Sequence, residues 1–446
     1  MRAVTQTPPR RGFATQQRPG WQGPSKEIAE RKTGNALASS GAGGFSSELS
    51  SELSAEIIIV GAGLAGTALA AVLGRQGRRV MLVDLHASCP PLFRAEKIEK
   101  EQVLILRKLG LLEPLLPYCG RVREVWGGYD GRIFKTSPIE QYGLKYAEMV
   151  NALRAEMPAT VHERVGRVES ISNGDQVQRV RLVGGEELSA KLVVLACGSR
   201  GEFQNNLGMK RRVVQKDQSL GFGFDITAEA EGFPFDALTY YSMSPSARID
   251  YLTLFKFRNT MRANLFVFRS ASDPWVREFI RRPEAMLRRH LPKLSRVTGE
   301  FKVSSNVESS RVDLYKVDCD PQPGVVLIGD ASQSACPATG MGLDKVLTDV
   351  DVLAECVPGW MATPGMSVEK MEGFYQHPRK LDMDGRALQR AQEHRRVVVD
   401  PSLRWRVHRF LLHTKWQMLA TSMQLRNARE TFGSMAGLLW GTSDNT

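Results

Sequence analysis

A glycine-rich turn between two apolar segments restricts this chain to a small set of folds. Residues 61–66 have the sequence Gly-Ala-Gly-Leu-Ala-Gly and follow the β-branched run 56–60. Small and apolar residues at helical spacing occupy 64–76, and 79–84 has the composition of a second buried strand. Because a strand, a glycine turn, a helix and a second strand begin a Rossmann-type fold, we predict an α/β nucleotide-binding fold that becomes ordered near Ala55.

Each glycine of the turn has a physical role. Gly61 permits the tight turn from strand to helix, Gly63 lets the backbone approach a pyrophosphate, and Gly66 lets the helix pack closely on the strand. The N-terminus of the helix offers free N–H groups and a positive dipole end to the phosphates. Asp84 follows about 20 residues later, where a carboxylate can accept hydrogen bonds from both ribose hydroxyls. This pattern predicts binding of a dinucleotide and does not by itself separate NAD from FAD.

A second glycine-containing segment favours FAD. Residues 329–344 follow an apolar strand pattern and lead into a helical one. Asp330, at the strand end, can bond a ribityl hydroxyl, while Gly340 and Gly342 let the backbone lie close to an isoalloxazine edge. The helix that begins there directs amides such as that of Leu343 at the pyrimidine side of the ring, where negative charge gathers on reduction.

Together the two segments resemble the class A flavoprotein monooxygenases, the group of p-hydroxybenzoate hydroxylase, the ubiquinone-biosynthesis hydroxylases and squalene epoxidase. The family pattern G-D-A-x-H-x-x-x-P-x-x-G-x-G-x-N is matched at Gly329, Asp330, Ala331, Pro337, Gly340 and Gly342. The resemblance covers residues 57–356. It implies non-covalent FAD and transfer of one oxygen atom of O2, through a flavin C4a-hydroperoxide, to a lipophilic or aromatic small molecule by hydroxylation or epoxidation.

The resemblance also implies which residues contact the cofactor. The implied contacts are Gly61, Gly63, Gly66 and Asp84 for ADP, Asp330 for the ribityl chain, and Gly340, Gly342 and Leu343 for the flavin ring. Residues 93–97, Phe-Arg-Ala-Glu-Lys, resemble an Arg-Gly-Glu stretch of the epoxidase and halogenase branches, which implies that Arg94 contacts FAD. The alternative for Arg94 is a solvated arginine before a helix. Neither a catalytic side chain nor a metal site is predicted.

Three residues depart from the family pattern. Gln333 replaces the usual His, and Asp344 replaces the usual Asn. Cys197, in Ala-Cys-Gly-Ser-Arg, stands where the family has the Asp of an Asp-Gly pair associated with FAD and nicotinamide handling. The resemblance implies NAD(P)H as the reductant, whereas this replacement counts against direct reduction by it. For Cys197 itself, a buried strand-end thiol is favoured over a redox centre.

Changes in composition predict four regions. The tail 1–54 is rich in Gly, Ser, Pro, Gln and Arg and is expected to be disordered, as an extended start or an organelle presequence. Residues 55–212 and 303–357 form the predicted discontinuous FAD-binding domain. Strand-like stretches in 213–302 predict an inserted β-rich substrate domain, and 358–446 is expected to be mostly helical.

The formal net charge is +12, which raises the question of an anionic partner. The sequence contains no recognisable nucleic-acid module, so nucleic acid is not expected. Residues 390–430 carry nine Arg or Lys against three acids, interleaved with aromatic and apolar residues. This segment is expected either to lie on a membrane surface or over a lipophilic substrate tunnel, or to cap the FAD-binding domain with its basic face solvated.

The protein is expected to be cytoplasmic. No apolar run approaches the roughly 18 residues of a spanning helix. The six cysteines include no C-x-x-C pair, which favours reduced thiols over zinc or disulfides. The sequence does not predict the oligomeric state.

Two other functions share the expected fold. One is a flavin-dependent halogenase or a prenyl-chain reductase, although the halogenase sequence Trp-x-Trp-x-Ile-Pro is absent. The other is a flavin-bound scaffold or sensor without turnover, which the altered middle pair at Cys197 would suit. The monooxygenase is the leading hypothesis, since fold alone does not choose among these functions.

Overall fold

The structure is a computed structural model. It describes residues 53–94, 96–200, 207–229, 232–242, 245–258, 260–318 and 320–440. All but the last two residues of the predicted tail 1–54 lie outside these ranges.

The described residues form two large sheets, a small three-stranded sheet and a C-terminal set of helices. The strands are β1 (Ile57–Val60), β2 (Val80–Asp84), β3 (Lys97–Ile98), β4 (Gly120–Tyr129), β5 (Arg132–Gly143), β6 (Val161–Val165), β7 (Val168–Ser172), β8 (Gln178–Leu182), β9 (Glu187–Ala190), β10 (Leu192–Leu195), β11 (Lys210–Ala228), β12 (Ala237–Tyr241), β13 (Ile249–Lys256), β14 (Met261–Val267), β15 (Phe301–Val303), β16 (Glu308–Asp318) and β17 (Val325–Leu327). The helices are α1 (Leu64–Arg75), α2 (Lys100–Lys108), α3 (Tyr146–Ala155), α4 (Pro274–Arg281), α5 (Pro283–His290), α6 (Ser295–Thr298), α7 (Met341–Met361), α8 (Val368–Tyr375), α9 (Pro378–Val399) and α10 (Leu403–Trp440).

The first sheet is parallel and has the strand order β17-β10-β1-β2-β6. All four residues of β1 and of β10 are buried, as expected for central strands covered on both faces. Helix α1 connects β1 to β2, and eleven of its twelve residues are buried. The predicted Rossmann-type α/β fold is confirmed.

The second sheet has nine strands, in the order β15-β11-β14-β13-β12-β4-β5-β3, with β16 also paired to β11. One face is apolar and packs on helices α4, α5 and α6 through residues such as Phe222, Phe224 and Phe279. Side chains alternate between the faces of a strand, so neighbours of these residues point to the opposite face. That second face carries Tyr241, Tyr251 and residues of the candidate site described below.

The predicted substrate domain 213–302 supplies only part of this sheet. Strand β12 pairs in parallel with β4, which pairs with β5, so 120–143 belongs to the same sheet. The assignment of all of 55–212 to the FAD-binding domain is therefore too broad. The sequence analysis did not identify β4 and β5, although Asp130-Gly131 between them has the positive φ angles of a tight hairpin turn.

The described part of the C-terminal region 358–446 is mostly helical, as predicted. Helix α10 packs its aromatic side on β4, β5 and β12 of the nine-stranded sheet. Of the segment 390–430, the part in α10 therefore lies on the nine-stranded sheet and not on the parallel one, whereas 390–399 belong to α9, in which Ala391 packs with Cys336 and Ala338. Of the helices in the described ranges, none combines the length and the apolar character needed to cross a membrane.

Candidate functional site

The glycine turn is shaped by close backbone contacts. Gly61 has φ +105°, and a Cβ there would lie 2.6 Å from the carbonyl oxygen of Ala196. A Cβ on Gly66 would lie 1.9 Å from the carbonyl oxygen of Gly61, and one on Gly63 would lie 3.2 Å from the hydroxyl of Tyr146. The turn and packing roles of Gly61 and Gly66 follow directly from these distances. The N-terminus of α1, whose first amides have no partner within the helix, opens at this turn.

Asp84 fastens the same turn. Its Oδ2 accepts the Ala62 N–H at 2.7 Å, and its Oδ1 accepts the His86 N–H at 2.8 Å. The sequence analysis named a ligand role for this side chain, and the structure adds a role in holding the turn. Each carboxylate oxygen can accept a further hydrogen bond, so a ribose contact stays a prediction.

An ion pair connects the two predicted cofactor segments. Arg94 Nη1 lies 2.9 Å from Asp330 Oδ2, and the two side chains are 41% and 33% exposed. The Arg94 guanidinium also lies 5.9 Å from the ring of Tyr146, whose hydroxyl accepts the Leu64 N–H at 3.0 Å. Arg94 is therefore not a freely solvated arginine. A continuous polar strip joins the start of α1 to the strand-end acid.

The predicted flavin-ring segment forms a tight turn before α7. Gly340 has φ +70° and caps the helix, whereas Gly342 already lies inside it. A Cβ on Gly342 would have Ala335 Cβ as its nearest described neighbour, at 3.9 Å. The side chain of Leu343 is buried in the core, so any contact of this residue with a ligand would be made by its backbone. The close-approach role suits Gly342, and the special backbone angle belongs to Gly340.

Gln102 holds this turn, and the sequence analysis missed it. Its amide nitrogen donates to the carbonyl oxygen of Gly340 at 3.2 Å and to Asp344 Oδ2 at 2.9 Å. Its amide oxygen accepts the Glu99 N–H at 2.8 Å, which is one half of a capping box at the start of α2. The Glu-x-x-Gln spacing of that capping box is the signal that could have found it. Burial raises the pKa of Asp344, and the hydrogen bond from Gln102 opposes that rise.

A buried charge cluster supports the second segment from below. Asp349 Oδ2 accepts hydrogen bonds from the Gly329 N–H and from Lys345 Nζ, both at 2.8 Å. Its Oδ1 accepts from Lys380 Nζ at 2.9 Å, and Lys380 also donates to Asp384 at 3.0 Å. The Asp349, Lys345 and Lys380 side chains are at most 2% exposed. The two lysines lower the pKa of Asp349 against the effect of burial, so the cluster is ionic.

Two of the departures from the family pattern have structural roles. Gln333 is buried, and its amide nitrogen donates to the carbonyl oxygen of Asp384 at 2.9 Å, which ties the segment to α9. Burial raises the pKa of the Cys197 thiol to about 11, so this thiol is protonated at neutral pH. A reactive cysteine needs thiolate character, so the geometry favours the strand-end interpretation of Cys197.

The nine-stranded sheet and α10 together carry a group of aromatic rings, one of which contacts the turn before Gly340. Six residues, called here the aromatic wall, are Tyr129, Phe134, Tyr241, Tyr251, Phe266 and Trp416. Ring centroids are 5.9 Å apart for Tyr241 and Tyr251, and 5.1 Å apart for Tyr251 and Phe266. The Tyr251 hydroxyl donates to the carbonyl oxygen of Ala338 at 2.7 Å. This hydrogen bond places the wall directly against the Pro337–Thr339 turn that precedes Gly340.

A buried arginine lies on the same face of the sheet. Arg262 is 1% exposed and makes a fork with Glu96, with N–O distances of 2.8 and 3.0 Å. It also contacts Asp225 at 3.2 Å and pairs with Glu308. Burial raises the pKa of Glu96 to about 7, against the opposing effect of Arg262. The sequence analysis named neither residue as functional.

Comparison with known proteins agrees with this geometry. The family model described as "FAD binding domain" matches residues 54–357, more than half of the chain. The 3-demethoxyubiquinol 3-hydroxylase of Escherichia coli (strain K12) is 27% identical over 326 residues, covering 67% of this chain and 78% of the relative. The solved p-nitrophenol 4-monooxygenase PnpA of Pseudomonas putida DLL-E4 superposes with a TM-score of 0.65 at 16% identity, covering 83% of this chain and 97% of that one.

A solved halogenase, PltM in complex with FAD, has the same fold. It superposes with a TM-score of 0.60 at 15% identity and covers 78% of this chain and 77% of its own. At such identities the likeness shows the fold alone, so it does not choose a reaction.

The chain belongs to the FAD-binding flavoprotein monooxygenase family. It is an FAD-dependent oxidoreductase, and the predicted cofactor is confirmed at the level of the family. The donor set fits the cofactor, because a strand-end carboxylate, an accessible arginine–aspartate pair and two helix N-termini suit ribose, ribityl and phosphate groups.

Proposed function

We propose that this protein transfers one oxygen atom of O2 to a lipophilic or aromatic small molecule, in a hydroxylation or an epoxidation. The observation that carries the proposal is the hydrogen bond from Tyr251 to Ala338, which sets an aromatic face against the flavin-ring turn. The E. coli relative is named for hydroxylation of a ubiquinol precursor, a class of compound with both aromatic and lipophilic character.

The side chains bind and orient, while the cofactor performs the oxygen chemistry. When bound, reduced flavin supplies the electrons that activate dioxygen. Gly61, Gly63, Gly66 and Asp84 would hold the ADP part of FAD, and Arg94 and Asp330 the ribityl chain. The amides of Gly342 and Leu343 would face the pyrimidine edge of the ring. The aromatic wall would exclude water from the substrate and stack against it.

NAD(P)H is the proposed reductant. The balanced reaction joins substrate, O2, NAD(P)H and a proton to give oxygenated substrate, water and NAD(P)+. Cys197 occupies the position where the family has an acidic residue, and its protonated thiol carries no charge. We expect the docking of nicotinamide to use other residues near this strand end.

An isotope experiment tests the reaction. Purified protein with FAD and NADPH is supplied with 18O2 and a panel of phenols, quinols and isoprenoid alkenes. Incorporation of one 18O atom into a product supports the proposal. Product formed only with chloride would instead indicate a halogenase, and substrate reduced without O2 would indicate a reductase. NADPH oxidation that yields only hydrogen peroxide with every substrate would contradict oxygen transfer.

A conservative variant tests the role of the aromatic wall. Tyr251→Phe keeps the ring and removes the hydrogen bond to Ala338, which is worth about 1 kcal/mol. We expect less oxygenated product per NADPH consumed, at unchanged FAD content, because the wall is no longer fixed against the turn. Tyr118→Phe is the control, since Tyr118 is 40% exposed and lies outside the wall. An equal yield of oxygenated product per NADPH consumed in the two variants would show that the wall does not position the substrate.

A further inference from the structure

Helix α10 has two apolar sides. Its inner side packs on the nine-stranded sheet, where the Trp416 ring lies 4.6 Å from Tyr241, and 5.3 Å from both Phe134 and Tyr129, between centroids. Ala420, one turn further on, is fully buried. This inner side alone accounts for the attachment of the helix to the protein.

The outer side carries apolar residues that the described parts of the chain leave exposed. We call these the outer stripe: Leu403, Val407, Phe410, Leu411, Met418 and Leu425, with exposures of 73%, 47%, 67%, 61%, 68% and 61%. Successive residues of a helix are about 100° apart, so these six fall within one sector, opposite Trp416. A helix that only caps a sheet needs one apolar side, because its solvent side is normally polar. The outer stripe therefore requires another explanation.

The charges beside the outer stripe are all of one sign. Residues 401–429 contain no Asp or Glu and six cationic residues: Arg404, Arg406, Arg409, Lys415, Arg426 and Arg429. Arg409 bonds the carbonyl oxygens of Val397 and Asp400, at 2.9 Å each. Arg404 and Lys415 are exposed and fall on one flank of the stripe. Any partner of this surface must accept apolar side chains and cations together.

This combination selects one kind of partner. A second copy of the chain would bring the same cations against these cations, which repel at close range. The interface of an anionic bilayer offers an apolar interior below a layer of negative headgroups. We propose that the outer stripe of α10 docks the protein on an anionic membrane surface, with α10 lying in the plane of the interface.

The position of α10 gives this docking a use. Its inner side contributes Trp416 to the aromatic wall, so the wall and the bilayer would contact opposite sides of one helix. If the proposed oxygen transfer holds, a lipophilic substrate could pass from the bilayer to the wall along α10 without crossing water. The passage of substrate from the bilayer to the wall rests on the proposed function, whereas membrane docking itself does not.

Vesicle sedimentation of the full-length protein tests the proposal. Phosphatidylcholine vesicles with roughly 30% phosphatidylglycerol should bind the protein, pure phosphatidylcholine should bind it more weakly, and added salt should reduce the difference. The variant Phe410→Ser/Leu411→Ser/Met418→Ser should bind anionic vesicles about a hundredfold more weakly. The control Leu104→Ser/Val183→Ser/Leu381→Ser removes side chains of similar exposure elsewhere and should bind like wild type.

Three results would overturn the proposal: no binding of the wild type to any vesicle, equal binding by the stripe variant, or a wild-type dimer in light scattering that the stripe variant abolishes. The dimer would mean that a second copy covers the outer stripe. The 18O experiment with a water-soluble phenol keeps this question separate from the proposed function. In that experiment the stripe variant should incorporate as much 18O into the phenol as wild type, with or without vesicles.

Discussion

The parallel sheet with its helices, called here the flavin-binding layer, and the nine-stranded sheet differ in how the sequence encodes them. Apart from Arg94, the residues predicted to contact the cofactor lie in two short segments, 61–84 and 329–344, each with its own turn, acid and helix start. The aromatic wall instead takes residues from β4, β5, β12, β13, β14 and α10, which are separated by up to about three hundred positions. Residues that are close together in the chain can be recognised from the sequence, as in the two glycine segments. The aromatic wall forms only when distant parts of the chain meet on folding.

This difference has a consequence for variants. A change in a flavin-binding segment should alter cofactor affinity, while a change in the wall should alter what is done with substrate. Two buried ionic groups, around Asp349 and Arg262, belong neither to the flavin-binding segments nor to the aromatic wall. They stabilise the structure next to each of them. The predictions below use these groups and the glycine segments to test the separation.

The largest expected effect is on Asp349. Asp349→Ala leaves Lys345 and Lys380 buried with too little negative charge, which should lower the free energy of unfolding by about 3–5 kcal/mol. Urea unfolding measures the loss. Asp382→Ala, which breaks the exposed pair of Asp382 with Arg386, should cost less than about 1 kcal/mol. Similar losses in the two variants would show that the buried cluster does not support the second segment.

The next effect is a pH dependence at Glu96. Its folded pKa is raised to about 7, above the usual range of an unfolded Glu, so the folded state holds a proton that the unfolded state releases. Wild type should therefore lose stability relative to Glu96→Gln as the pH rises from about 4.5 to 7, by roughly 2–4 kcal/mol. Urea unfolding of both proteins across this range gives the difference. A difference that does not change with pH would mean that Glu96 stays ionised beside Arg262.

Asp84 tests the first flavin-binding segment. Asp84→Asn keeps one acceptor oxygen for the turn and loses the charge that suits two ribose hydroxyls. FAD affinity should fall by about 1.5–3 kcal/mol, measured by titration of flavin fluorescence. Asp318→Asn, at an exposed strand end of the other sheet, should leave it unchanged. Wild-type FAD affinity in Asp84→Asn would limit this residue to fastening the turn.

The smallest change in stability is expected at Gly342, where it should have the opposite sign to the change in cofactor binding. Gly342→Ala adds a methyl group with room around it inside a helix, which should stabilise the FAD-free protein by up to about 1 kcal/mol. The same methyl group would point at the flavin edge, so FAD affinity should fall at least about tenfold.

Gly359→Ala is the matched control for this variant, because Gly359 lies in the same helix with no described heavy atom within 4 Å of an added Cβ. It should gain stability and keep FAD. Thermal melts with and without FAD separate the two variants. Undiminished FAD binding by Gly342→Ala would move the flavin away from this turn.

The sequence predicted the parallel sheet, the glycine turn and the helix after Gly340 because each depends on residues close together in the chain. It did not predict Gln102, Arg262 or the Asp349 cluster. Their contacts with Asp344, Glu96 and Gly329 join positions from 20 to more than 230 residues apart, so they form only in the folded chain. Two local signals were present and overlooked: the capping-box spacing at Gln102 and the hairpin turn at Asp130-Gly131.

Arg94 shows an intermediate case. The residues around it predict that Arg94 contacts the cofactor, while its ion pair with Asp330 required the folded chain. Asp84 shows the reverse, since its position was predicted and its second role in holding the Ala62 amide was not. A short motif therefore identifies which residues are important more reliably than it identifies everything they do.

The chain around residue 94 couples the heat stability of the two layers. Arg94 is fastened to Asp330 of the flavin-binding layer, and Glu96, two residues on, is fastened to Arg262 of the nine-stranded sheet. Unfolding of either layer alone would break one of these two ion pairs. Cofactor at a hundred times its dissociation constant adds about 2.7 kcal/mol to whatever unfolds with its site. We expect the nine-stranded sheet to share part of that gain, so FAD should slow proteolysis on surfaces that do not contact FAD.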